Sequence, residues 1–188
     1  KSHRGGSEVY GESIYTKRLE AIGNYGINAG SEKLMLEYSY NFHHQDSYYG
    51  AIPYFAKQHS AFVQLRWNKE IGKHTIVAGL PYRYIWYDDN TPVTSKPDGI
   101  TNQPAVNKLQ GFFVQDEMKL NNRFTILGGV RYELTNQHGG ILSPRLAVKW
   151  ESADNQIIRL SAGNGFRVVN LFTEDHAALS GAREVVIA

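Results

Sequence analysis

The sequence predicts an all-β fold: a segment of an antiparallel transmembrane β-barrel with about eight strands, joined by alternating short turns and long loops. Three observations predict it. In residues 33–43, Leu34, Leu36, Tyr38, Tyr40 and Phe42 share one face, while Lys33, Glu37, Ser39, Asn41 and His43 share the other, with only Met35 out of place. Side chains alternate across a strand, so this run has one apolar and one polar surface. It is also longer than the usual strand of roughly five or six residues and matches the roughly nine to eleven that a tilted strand needs to cross a bilayer. Finally, the pattern recurs, and the connections between its copies are short and long in turn, as at the two ends of a membrane barrel.

Composition narrows the meaning of that pattern. With 188 residues the chain is long enough to bury a core, and 20 basic against 18 acidic residues leave a net +2 that supplies no dedicated nucleic-acid surface. The absence of cysteine excludes disulfides and thiolate metal sites. No apolar run approaches the roughly 18 residues of a membrane helix, which leaves strand crossing untouched because its signal is alternation. Twelve Tyr, eight Phe and three Trp are enough to furnish interfacial belts. Residues 1–11 are polar and Gly-rich, like the middle of a loop, so the chain is expected to be a piece of a longer barrel, with no signal peptide at its start.

The first strand is expected at 12–25, ending in a Gly-rich turn at 26–30, and the second at 33–43. A long aromatic loop is expected at 44–60. Ala61, Val63, Leu65 and Trp67 then alternate with Phe62, Gln64, Arg66 and Asn68, and a turn at 69–73 follows. The fourth strand carries Ile76, Ala78, Leu80, Tyr82, Tyr84 and Trp86 on one face; a second long loop is expected at 88–107. The fifth, 109–120, resists assignment because Asp116 falls in line with Phe112, Val114 and Met118. After a turn at 121–123, Phe124, Ile126, Gly128, Val130, Tyr132 and Leu134 oppose Arg131 and Glu133. A medium loop at 135–142 leads to Leu146, Val148 and Trp150 opposite Arg145 and Lys149, then a turn at 151–155. Ile158, Leu160, Ala162 and Phe166 finally oppose Arg159 and Arg167, before a loop-like tail at 170–188.

Trp67 and Trp150, each just before a short turn, are placed in an inner aromatic girdle, with Tyr40, Phe42, Tyr84 and Trp86 in an outer one. Pro81 cuts against a mid-strand position, since it donates nothing to the ladder; a bulge is expected there. The same alternation would suit a soluble sandwich or lipocalin-like barrel, a small self-contained outer-membrane barrel with an Asp/His enzyme site at its rim, or a soluble β-domain that binds partners by its edges. Pairing of the first strand with the eighth would mark the small barrel.

Four motifs carry a resemblance. Gly111-Phe112-Phe113-Val114-Gln115-Asp116-Glu117, Gly129-Val130-Arg131-Tyr132-Glu133, Leu142-Ser143-Pro144-Arg145, and Gly163-Asn164-Gly165-Phe166-Arg167 with Asn170, Leu171 and Glu174 resemble, in order and spacing, the barrel motifs of TonB-dependent outer-membrane receptors. Val169 departs from the family's proline. The resemblance implies that residues 1–188 are part of a barrel of about 22 strands in the bacterial outer membrane, with the plug domain absent. It implies lipid and the TonB complex as partners, the latter reached through the missing plug region. The implied function is import of a scarce bulky nutrient, an iron–siderophore, cobalamin or similar chelate, with no cofactor and no catalysis.

Arg66, Arg83, Arg131, Arg145, Arg159 and Arg167 all fall on the polar face and are expected to look into the lumen, since a mid-depth charge in lipid costs about 2–4 kcal/mol. Mutual pairing and pairing with plug carboxylates is favoured over a path for an anionic ligand. Tyr48, Tyr49, Tyr54 and Phe55 are the ligand-binding candidates, as rigid aromatic surface on a loop. His43, His44, Asp46 and His59 match no metal-site spacing, and Asp88-Asp89-Asn90 lacks the calcium-loop pattern. No Gly-x-Ser-x-Gly elbow, His-Glu-x-x-His or phosphate loop is present. Purified alone, the 188-residue chain should self-associate in plain buffer and disperse in detergent; a monodisperse monomer by light scattering without detergent would count against a membrane wall.

Overall fold

The computed structural model describes residues 12–30, 32–49 and 52–167. Residues 1–11, Val169, Asn170, Leu171, Glu174 and the tail expected at 170–188 lie outside them. Eight strands follow one another: β1 (Glu12–Ala29), β2 (Glu32–Tyr49), β3 (Ile52–Ile71), β4 (His74–Asp89), β5 (Ala105–Lys119), β6 (Phe124–Thr135), β7 (Gly139–Ala153) and β8 (Gln156–Gly163). Each pairs antiparallel with the next in one sheet, and β1 does not pair with β8, so the sheet is open. The pairing expected of a small closed barrel is therefore missing.

A sandwich would bury one face against a second sheet. Here the buried apolar residues among those described are Tyr54, Ala56, Tyr87 and Leu109 with Gly79 and Pro81, while Leu19, Tyr38, Leu80, Phe112, Leu146 and Leu160 stay exposed. The register explains why. Ile27, Leu34, Trp67, Ala78, Val114, Val130 and Pro144 form one continuous cross-strand row. One residue away, Met35, Arg66, Gly79, Phe113, Arg131 and Ser143 form another. Neighbouring rows point to opposite faces, so all seven ladders sort apolar from polar in the same sense.

The strands are longer than expected. β1 runs on to Ala29, and the turn is left to Gly30, whose φ of 63° is a left-handed value suited to glycine. Most of the loop expected at 44–60 is strand, because β2 and β3 pair as far as Tyr49↔Ile52. The loop expected at 135–142 shrinks to 136–138, and the turn expected at 151–155 to Asp154 and Asn155, preceded by a register shift between Glu151 and Ala153. Hydrophobic alternation marks only the stretch that lipid would touch, whereas ladder hydrogen bonds continue wherever two chains lie side by side. Of the far-end connections only 90–104 is long; elsewhere the length lies in paired hairpin arms.

Pro81 produces no bulge. β4 and β5 pair at Gly79↔Phe113 and again at Tyr82↔Gln110 in the same register, so the ladder has a gap beside the missing N–H and then resumes. Gly111, opposite the gap, packs closely on its other side: a Cβ there would lie 2.3 Å from the Tyr132 carbonyl oxygen on β6.

A level inner girdle would require tilt. Trp67 aligns with Pro144, six residues short of Trp150 and four strands away. At about 3.3 Å per residue and 4.8 Å per strand, both tryptophans reach one height when the strands lean by about 45°, the inclination of membrane barrels. Leu80, midway along β4 between His74 and Trp86 and 60 % exposed, then lies near mid-depth. Leu80→Arg should lower the urea stability of the full-length barrel in lipid by about 2–4 kcal/mol, and Gln115→Arg on the opposite face by much less; equal losses would break the assignment of faces.

Candidate functional site: the concave face

Gln64, Arg83, Phe113, Arg131, Arg145 and Arg167 come from β3 to the stretch after β8, yet they line one concavity of about 760 Å³. A surface shared by so many strands is the inside of a curved wall. Arg159 lines a second concavity on the same face with Lys149 and Glu117, and Arg66 belongs by register to the row of Phe113 and Arg131. The structure thus brings all six predicted arginines to the concave side. Arg167 gets there by a different route, because β8 ends at Gly163 and strand alternation does not extend to it.

Their electrostatics differ. Arg66 Nη2 lies 3.4 Å from Glu37, which also accepts a 2.9 Å hydrogen bond from Gln64. Arg131 pairs with Glu133, two residues along the same strand and 4 % exposed. Near the turn end, Lys149 donates to Glu151 at 2.6 Å. Arg83 and Arg145 make no ion pair among the described residues; Arg83 stands 5.9 Å from the centre of the Phe62 ring. Self-pairing therefore accounts for Arg66 and Arg131, and the concavity keeps an unbalanced positive charge.

The aromatic candidates do not form one surface. They lie on β2 and β3, and alternation divides them. Tyr48 and Phe55 face the convex side and meet edge to face at 5.9 Å. Tyr49 and Tyr54 face the concave side, where Tyr54 is 1 % exposed and its hydroxyl lies 2.9 Å from that of Tyr87. A buried hydroxyl committed to a partner offers nothing to a ligand, so Tyr54 is a packing residue. His43 likewise sits opposite in face to His44, Asp46 and His59; His44 meets Asp46 at 3.1 Å, and His59 the Tyr40 hydroxyl at 2.8 Å.

The start of the long connection is not simply solvated. Asp89 accepts hydrogen bonds from the Tyr87 hydroxyl (2.5 Å), the Thr91 N–H and hydroxyl (both 2.9 Å) and the Thr94 hydroxyl (2.8 Å). These bonds fix the short 3₁₀ turn Pro92–Thr94 and bury Thr94 completely. Further out, Asp98 accepts from the Thr101 hydroxyl and the Thr101 and Ile100 N–H groups, which hold its carboxyl below the usual carboxylate range.

Sequence reading missed Gln64, Phe113, Gln115 and Thr94. Phe113 and Gln115 were hidden by Asp116, which made the faces of β5 ambiguous. The structure puts Asp116 on the convex face, where the His74 ring nitrogen lies 2.6 Å away.

An open sheet with an exposed apolar convex face and a charged concave face is a section of a membrane-barrel wall. Residues 7–177 match the family described as TonB dependent receptor-like, beta-barrel, and the chain belongs to that family, whose barrels are outer-membrane proteins. The crystal structure of the siderophore receptor PirA from Pseudomonas aeruginosa is similar at a TM-score of 0.72 and 12 % identity, over 86 % of this chain and 28 % of that one. At that identity the likeness is one of fold, and this chain spans little more than a quarter of the receptor. No curated protein matches the sequence.

Asp89→Ala would remove the carboxylate to which the Tyr87 hydroxyl and the Thr91 N–H and hydroxyl donate, leaving the Thr94 hydroxyl only the Asp89 backbone carbonyl, a local cost of about 1–3 kcal/mol. Limited proteolysis of the intact receptor should then cut within 95–102 about tenfold faster or more, with the rest of the barrel unchanged; an unaltered rate would show that the loop is held elsewhere.

Proposed function

We propose that this chain is a section of the barrel wall of an outer-membrane TonB-dependent receptor that imports a scarce, bulky nutrient, an iron–siderophore, cobalamin or similar chelate. Its part in that import is non-catalytic: to line the passage, while the plug and its TonB contact belong to a part of the receptor outside these 188 residues. The observation that carries the reading is the concave cationic surface built from β3 through β8, in which Arg83 and Arg145 have no carboxylate partner among the described residues. Within a closed barrel that surface faces an anionic ligand or the carboxylates of the plug. Its volume suits the seat of a bulky group, and belonging to the receptor family supports the same reading.

The test uses the full-length receptor in cells deleted for it, grown with single ferric chelates or cobalamin as the limiting nutrient. One nutrient should support growth only when the wild-type receptor is restored, and Arg83→Glu with Arg145→Glu should cut its uptake about tenfold or more while surface levels stay normal. Growth independent of the receptor on every chelate and on cobalamin would overturn the import reading.

A further inference from the structure

One row of the concave face sets like charges against each other. Next to the short turns, Lys119 on β5 lies opposite Thr125 on β6, Thr125 opposite Lys149 on β7, and Lys149 opposite Arg159 on β8. All are direct cross-strand partners, so Lys149 and Arg159 stand about 5 Å apart at their Cα atoms, and Lys119 about 10 Å from Lys149. Like charges placed directly opposite destabilise a sheet. Glu151 relieves part of this, taking Lys149 at 2.6 Å and standing within electrostatic reach of Arg159. Lys119 and Arg159 make no ion pair among the described residues.

The row lines a concavity of about 470 Å³ that also takes in Ser161, Glu117 and Arg145. Lys119, Arg145, Lys149 and Arg159 there outnumber the carboxylates of Glu117 and Glu151, so the surplus is positive even with both carboxylates counted in full. An oxyanion fits such a surface. The Arg159 guanidinium offers paired donors, the ammonium groups of Lys119 and Lys149 offer point charges, and the Thr125 and Ser161 hydroxyls donate without adding charge. Arg145 also lines the larger concavity with Arg83 and Arg131, and so is common to both. It lies four residues along β7 from Lys149, about 13 Å. A bulky anionic ligand can therefore touch Arg145 and the row together before it leaves the larger concavity.

Resting on the import reading above and deepening it, we infer that Lys119, Thr125, Lys149 and Arg159 form a second oxyanion station at the turn end of the passage. It takes a carboxylate, sulfonate or phosphate group of the imported ligand from Arg145. The repulsion between Lys149 and Arg159 is relieved while the anion is bound. Because the station lies at the end away from the long connection, its occupancy follows occupancy beside Arg83 and Arg145.

The test compares the full-length receptor with a Lys119→Gln, Arg159→Gln variant, which keeps the Lys149–Glu151 pair. Radiolabelled inorganic phosphate is the probe, read by equilibrium dialysis against each purified receptor in neutral detergent. The wild type should show a saturable site that the variant lacks or binds about tenfold more weakly, and Lys119→Arg with Arg159→Lys should keep it. Removing two mutually repelling cations should leave the urea midpoint unchanged or higher. Equal phosphate binding would overturn the station, as would binding lost together with the urea midpoint, which would mark a structural role. In cells, the variant should bind the limiting nutrient with wild-type half-saturation while its uptake rate falls about tenfold or more. A normal uptake rate would overturn the hand-over from Arg145. If the station binds phosphate but no chelate and no cobalamin needs the receptor for growth, the import reading falls and the anion site stands without it.

Discussion

Seven antiparallel ladders run from β1 to β8 with a gap beside Pro81 and a shift between Glu151 and Ala153, and the sense of inside and outside survives both. Everything else depends on that register. A slip of one residue would turn Leu34, Leu36 and Tyr38 toward the concave side and expose Glu37 and Asn41 on the convex one, exchanging the surfaces along the rest of the strand. The wall has almost no packed core to resist such a slip. What resists it is the medium on each side, because an apolar stripe and a charged stripe each have one acceptable environment.

The two interruptions show how the register is protected. Pro81 removes a donor, yet the ladder resumes at Tyr82↔Gln110 in the register it had at Gly79↔Phe113. The shift near Ala153 falls at the end of a hairpin beside the turn, where few residues remain to be displaced. A break is tolerated where it moves nothing or where little follows it.

Charge on the concave face obeys a similar economy. Arg66 and Arg131 each find a glutamate at hydrogen-bonding height, one across a ladder and one on the same strand, whereas Arg83 and Arg145 do not. The face is therefore partly neutral by itself and partly made for something opposite it. Aspartates near the loop end serve order instead: Asp89 gathers the polar groups of the long connection, which is why that segment is a folded unit.

Much of this was legible in residue order, because period-two alternation is a local property: the eight strands, the sides of the arginines other than Arg167, and the convex places of Trp67 and Trp150 follow from parity alone. Parity also misled where a polar residue sat on the wrong face for a reason outside its strand, as Asp116 does beside His74. Strand ends were less legible, since pairing at Tyr49↔Ile52 depends on the partner chain and not on hydropathy. So the sequence by itself determined the fold class and the sorting of faces, because both arise from side chains two residues apart. Only the tertiary structure decided that Tyr48 and Phe55 part from Tyr49 and Tyr54, that Tyr54 is buried, and that Arg83 and Arg145 lack carboxylate partners among the described residues, because each depends on what a neighbouring strand or loop places within a few ångströms.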